Sequence, residues 1–169
     1  MSFFNKAFLR QQYITSLLIF NVYAGMTLMD KYFFKVIGCH GPSMIPTFDK
    51  SDNLLIVDCF TTRFVRKPNK GEIVIADNPF KHDATLVKRV LWVEQEMAEF
   101  WSDRNERMEK VYIPPGHVWI EGDNKDHSRD SRDFGPISLC LIDGIVRARI
   151  WPLDKLNTFD NEGKILHQI

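Results

Sequence analysis

The chain has no excess of either charge. Its 22 Lys and Arg residues balance 22 Asp and Glu residues, so bulk electrostatics leave no footprint for nucleic acid, and no such partner is expected. Cysteine is scarce. Cys39, Cys59 and Cys140 are odd in number and show no C-x-x-C spacing, which argues against a disulfide framework and a cysteine zinc site. The five histidines are scattered, and no H-E-x-x-H pair is present. No metal or cofactor is therefore expected. Internal repeats and low-complexity tracts are absent. The 169 residues fit one domain plus an appendage.

One long apolar segment is present, residues 13–29, diluted by Thr15, Ser16, Asn21 and Thr27 and closed by Asp30 and Lys31. The residues before it carry Lys6 and Arg10 and no acid. As a helix this segment reaches roughly 26 Å, near the lower limit for a bilayer. It is expected as a single membrane helix within an N-terminal segment, residues 1–35. A cleaved secretory signal and a buried or interfacial helix are the alternatives. In an anchor, Lys6 and Arg10 favour an N-terminus on the negative side, with the bulk of the chain across the membrane.

Short apolar runs follow: residues 31–39, 53–59, 71–76, 84–93, 111–113, 117–120 and 137–151. Turn signals separate them, including Asn78-Pro79 within residues 78–83 and Pro114-Pro115-Gly116. Several short strands at this spacing predict a mainly β fold, a small barrel or sandwich. Residues 94–110 are charged and helix-prone, with Met97, Phe100, Trp101 and Met108 as apolar members, and are expected as a short peripheral helical insertion. The polar tail, residues 153–169, is expected to be loosely held.

Three stretches carry chemistry. In Gly41-Pro42-Ser43-Met44-Ile45-Pro46-Thr47, a serine lies between two prolines that restrict the backbone around it. Such a turn holds a hydroxyl in place and frees nearby N–H groups for a ligand, although Gly, Pro and Ser also dominate plain surface turns. A serine nucleophile needs a base, and a lysine serves when burial lowers its pKa. Along residues 84–93, Lys88 shares a strand face with Ala84, Leu86, Val90 and Trp92. Arg89, on the other face, is a poorer base because it stays protonated. Residues 122–135, GDNKDHSRDSRDFG, concentrate aspartates, arginines and serines. They lack the glycine and closing glutamate of a calcium loop. A rigid polar network fits better, one able to present Ser128 or Ser131 to a buried lysine.

Together and in this order, the Ser43-Met44-Ile45-Pro46-Thr47, Lys88-Arg89 and Gly122-to-Gly135 stretches resemble the type I signal peptidase family of serine–lysine proteases. The resemblance covers residues 36–152, the expected peptidase domain. It implies a signal-peptidase-like β fold, Ser43 as nucleophile and Lys88 as general base. Ser128 is implied to hydrogen-bond the lysine, with Asp123, Asp130 and Arg132 bracing the site. The Ser43 backbone N–H is implied to hold the oxyanion, since Gly41 stands where many bacterial members carry a second hydroxyl. Substrate is expected to dock as an extended strand against the sheet near Leu86 to Lys88, by main-chain pairing, with Met44 and Leu86 as substrate-binding positions.

The short chain, its single apolar N-terminal segment and the Cys39-x-Gly41-Pro42-Ser43-Met44 stretch look most like the mitochondrial inner membrane members. That implies precursor polypeptides as substrates, membrane lipid and a second homologous peptidase subunit as partners, and a catalytic domain in the intermembrane space. The alternatives are a bacterial or plastid-type peptidase and a non-catalytic subunit that keeps the fold. A self-cleaving repressor shares the dyad but needs a DNA-binding module, where this chain has its apolar segment.

Overall fold

The computed structural model describes residues 2–81, 84–102 and 105–168. The helix α1 (Ser2–Tyr32) leads into β1 (Phe34–Cys39), a 3-10 turn over Pro42–Met44 and β2 (Asn53–Asp58). A π-turn over Thr61–Val65 is followed by β3 (Ile73–Asp77) and β4 (Thr85–Trp92). Next come β5 (Met97–Ser102), β6 (Arg107–Tyr112), β7 (His117–Glu121), the short helix α2 (Ser131–Phe134) and β8 (Ile137–Ser138). The chain closes with β9 (Ile142–Trp151), β10 (Asn157–Phe159) and β11 (Ile165–Gln168). The turn expected over 78–83 falls partly on residues 82 and 83, outside the described residues.

The mainly β expectation holds. One curled, antiparallel sheet runs β1-β2-β9-β3-β4-β7-β8, with β10 added to β9 and β11 to β10. The central strand β3 explains its own near-continuous apolar sequence, because it is buried on both faces. Ile73 and Ile75 enter a cluster with Cys39, Met44, Phe48, Leu55, Val57 and Phe159. Val74 and Ala76 enter a second with Val90, Val118, Ile120, Ile137 and Ile145.

Three expectations need correction. The peripheral insertion, 94–110, is not helical among its described residues: it forms the hairpin β5–β6, paired from Met97↔Tyr112 to Ser102↔Arg107. Burial alternates along β5, with Ala98, Phe100 and Ser102 inward, and Phe100 packs 4.7 Å from Trp119. Here the two-residue apolar period outweighs the helix propensity of the glutamates and lysines. The tail is not loose, because β10 pairs Asn157↔Arg149 and Thr158↔Ala148 and Phe159 is buried in the core.

The third correction concerns residues 13–29. They do form helix, within the longer α1, but no helix among the described residues is long and apolar enough to cross a membrane. Length is not what fails, since 31 residues reach about 46 Å. Apolarity fails, because Thr15, Ser16, Asn21, Gly25 and Thr27 interrupt the run. The helix leaves Leu18, Ile19, Phe20, Tyr23 and Met26 exposed.

Glu72, just before β3, is fully buried. It accepts a fork from Arg66 at 2.9 and 2.8 Å, a bond from Arg147 at 3.2 Å and the Asn69 N–H at 2.7 Å. Glu72→Ala takes from Arg66 its carboxylate partner, while Arg147 keeps Asp58 at 3.2 Å, and is expected to cost about 3 kcal/mol. Urea unfolding of the variant beside the parent chain measures that loss.

Candidate active site

The serine turn is built by its own sequence. Gly41 adopts φ 111°, which a side chain resists, and Pro42 opens the 3-10 turn that carries Ser43. Ser43 is half-buried and occupies the second position of that turn. An N–H there has no acceptor within the turn and is free to meet a ligand. Met44, next along, turns inward and is 1% exposed in the core beside Phe48. The Met44 side chain therefore anchors the turn from beneath, which leaves its backbone as the part that can face a substrate.

The loop of residues 122–130 holds the turn from the other side. Asn124 donates its backbone N–H to the Ser43 carbonyl and its Nδ2 to the Pro42 carbonyl, both at 3.0 Å. Gly122 lies so close that a Cβ there would fall 2.4 Å from the Ser43 carbonyl and 2.2 Å from Ser128 Oγ. Gly122→Ala must push the serine turn and Ser128 apart. A shift of that order costs about 100-fold in turnover where reacting groups are pre-positioned. Steady-state kinetics on a precursor peptide are expected to show that loss in kcat, with substrate affinity less affected.

Lys88 lies in β4, opposite Val74 and between Leu86 and Val90 on one face. The strand packs against the serine turn. Lys88 is 4% exposed, and among the described residues its amine has no hydrogen bond and no ion-pair partner. Burial pushes its pKa down, opposed by the fields of Asp130, Cys39 and Asp123 and aided by Arg132. A largely buried amine of lowered basicity can accept a proton.

The expected bracing groups gather around it with specific partners. Asp130 is fully buried, caps α2, and accepts the Gly122 N–H at 2.9 Å and Arg132 Nε at 2.9 Å. Burial alone would raise its pKa, but Arg132, the Ser128 hydroxyl and the Gly122 N–H hold the carboxyl below the usual range. Ser128 Oγ is buried, interacts with the Asp130 carboxyl and makes no hydrogen bond to Lys88. The bond from Ser128 to Lys88 that the resemblance implies is thus not formed in this structure. Ser128 instead lines a polar cavity of about 240 Å³ beneath the β5–β6 hairpin, with Trp101 and Lys125.

Asp123 faces elsewhere, taking a fork from Arg89 at 2.8 and 2.8 Å and a 2.5 Å bond from Thr47 Oγ1. Sequence reasoning treats Arg89 only as a poor base and Thr47 only as a motif position. The available signal was an arginine inside a buried strand, which requires a carboxylate partner. The roles of Asn124, Gly122 and Ser131, whose Oγ accepts the Ile120 N–H at 3.0 Å, were also missed, though all three lie inside the polar run.

The edges of the sheet near the serine are open. β4 pairs with β3 from Thr85 to Arg89, but with β7 only from Arg89 to Trp92. Residues 85–88, with half-buried Leu86, keep one edge unpaired in the sheet. The outer edge of β1 is likewise unpaired among the described residues. An extended peptide can add to such edges by main-chain bonding.

The chain matches the family described as signal peptidase, peptidase S26, over residues 10–94 and 92–151. It is 35% identical over 153 residues to the mitochondrial ATP-independent inner membrane protease subunit 1b of Arabidopsis thaliana, covering 89% of each chain. It is 39% identical over 124 residues to the mitochondrial inner membrane protease subunit 1 of Xenopus tropicalis, covering 73% of each. Mitochondrial inner membrane protease subunit 2 of Schizosaccharomyces pombe is 33% identical over 164 residues, 92% of this chain and 89% of that one.

Proposed function

The chain belongs to the signal peptidase family, peptidase S26, and from that membership we propose that it is a serine endopeptidase. Its substrates are precursors delivered to the mitochondrial intermembrane space, from which it removes sorting or signal peptides. Ser43 is the nucleophile and Lys88 the general base. The observation that carries this reading is the buried, unpaired amine of Lys88 on a strand packed against the serine turn.

In the reaction, neutral Lys88 takes the Ser43 hydroxyl proton as the oxygen attacks the scissile carbonyl. The Ser43 N–H faces the developing oxyanion, a contact worth roughly 3–4 kcal/mol per donor in comparable sites. Lys88 then passes its proton to the leaving amine. Water enters, the lysine accepts a proton from it, and the acyl-enzyme is released as acid and free serine. Asp130 and Arg132 fix the loop behind the lysine, while Asp123 and Arg89 fix the serine side.

The substrate lies extended along the open edges of β1 and residues 85–88, where Leu86 contacts it. The relatives named as inner membrane proteases support a seat at that membrane, with the catalytic domain facing the intermembrane space. Relatives named subunit 1 and subunit 2 support a second homologous subunit as partner. A serine-directed acylating reagent tests the assignment. Peptide mapping is expected to find the label on Ser43, and a Lys88→Met chain is expected to lose labelling. Label on another residue rejects the proposal.

A further inference from the structure

The segment carrying the nucleophile has a second support besides the 122–130 loop. It comes from the end of the chain, beyond residue 151, where the family match stops. Two arginines join that end to Thr47, four positions after Ser43. Arg149 donates Nε to the Lys155 carbonyl at 2.7 Å and Nη1 to the Thr47 carbonyl at 3.3 Å. Arg89 donates Nη1 to the Gly163 carbonyl at 2.9 Å and Nη2 to Thr47 Oγ1 at 3.3 Å. The neighbours of Thr47 are tied to the same segment. Phe48 packs edge-on against Phe159 at 5.6 Å, and Lys155 Nζ pairs with Asp49 at 2.8 Å.

The turn at Gly163 is locked in place by close packing. A Cβ on Gly163 would fall 1.9 Å from the Gly71 carbonyl and 2.5 Å from Arg89 Nη1. A Cβ on Gly71 would fall 2.2 Å from the Glu162 carbonyl. Only two glycines permit this approach, and it sets the carbonyl that Arg89 binds.

We infer that the C-terminal segment, residues 155–163, is a positioning element of the active site: through Arg149 and Arg89 it fixes residues 47–49 and so sets the height of Ser43 against Lys88. Neither arginine touches the reacting atoms. The nucleophile segment thus has two holds: Asn124 bonds Pro42 and Ser43, and this segment, together with Asp123, bonds residues 47–49. Loss of either leaves the fold but loosens the hydroxyl. The inference rests on the assignment of Ser43 as nucleophile.

The full chain and its Arg149→Lys, Gly163→Ala and Lys164→Ala variants are compared on one precursor peptide. The rate is expressed per folded molecule, with thermal unfolding giving the folded fraction at the assay temperature. Arg149→Lys keeps the charge but not the fork that spans Lys155 and Thr47. It is expected to lower kcat about tenfold or more with KM within twofold, and Gly163→Ala to do the same. Lys164→Ala, which removes only the exposed pair with Glu162, is expected to behave as the parent.

A merely structural role predicts a lower unfolding temperature with unchanged kcat per folded molecule. That result in Arg149→Lys overturns the inference, whether or not Gly163→Ala folds. A parent chain that cleaves no precursor, or a Ser43→Ala chain that still does, instead rejects the assignment on which the inference rests.

Discussion

Ser43→Ala is expected to lower precursor cleavage by about 10⁴-fold or more while leaving the folded chain intact. The size of the effect follows from what one oxygen does: without it there is no acyl-enzyme, and water must attack unaided. The Ser43 N–H survives the substitution, so some stabilisation of the oxyanion survives too. The stability of the variant follows from the fold. Among the described residues the Ser43 hydroxyl makes no hydrogen bond, and the turn is held by backbone and by Asn124 and Met44. Its removal is expected to change stability by no more than about 0.5 kcal/mol. Time courses of peptide cleavage, set beside thermal unfolding curves, measure both quantities. A non-catalytic subunit that merely keeps the fold predicts no functional change at all, so one variant separates the two readings.

The three chemical stretches were legible because their residue types are unusual where they stand. A serine between prolines, a lysine on an apolar strand face and four aspartates in one short run each demand a reason. What escaped were the partners. Arg89 and Thr47 meet Asp123 across more than thirty residues of chain, a pairing set by sheet register and invisible in local sequence. The hairpin β5–β6 escaped because its exposed positions carry Glu99 and Lys110, good helix formers, while Ala98 and Phe100 alone report the two-residue period. The tail escaped because its binding energy lies in Phe159 and in backbone carbonyls, which composition does not register. Apolarity misled in the opposite sense at residues 13–29, where the run is helical as expected yet too interrupted to cross a bilayer.

The buried charge network around Glu72 and the network around Asp123 differ in what they serve. Glu72, Arg66 and Arg147 sit at the start of β3 and join β3 to β9, so their loss is felt in stability. Asp123, Arg89 and Thr47 join the strand of the base, the polar loop and the nucleophile segment, so their loss is felt in geometry. Measuring stability and turnover on the same variants therefore sorts one network from the other.

Lys88→Met is expected to abolish cleavage as thoroughly as the loss of Ser43, and at the same time to stabilise the protein at neutral pH. Methionine keeps the stem that packs between Leu86 and Val90 and removes the amine. The sign of the stability change follows from the direction of the pKa shift. Burial lowers the Lys88 pKa below the value of about 10.5 that it has in the unfolded chain. Below pH 10.5 the unfolded chain therefore holds the proton more tightly than the folded one, and folding is penalised. The penalty grows as pH falls from 10.5 to the folded-state pKa and is constant beneath it. Above pH 10.5 the amine is neutral in both states and the penalty vanishes. The methionine variant carries none of it, so its unfolding temperature should exceed that of the parent at pH 7, with the gap closing as pH approaches 10.5. The same shift governs the parent's activity, which should fall as pH drops through the folded-state pKa, because an ammonium cannot take the Ser43 proton. Thermal scans from pH 6 to 10.5, with cleavage rates at each pH, measure both effects. A variant that cleaves normally, or that is less stable than the parent at pH 7, would show that the amine is neither dry nor the base.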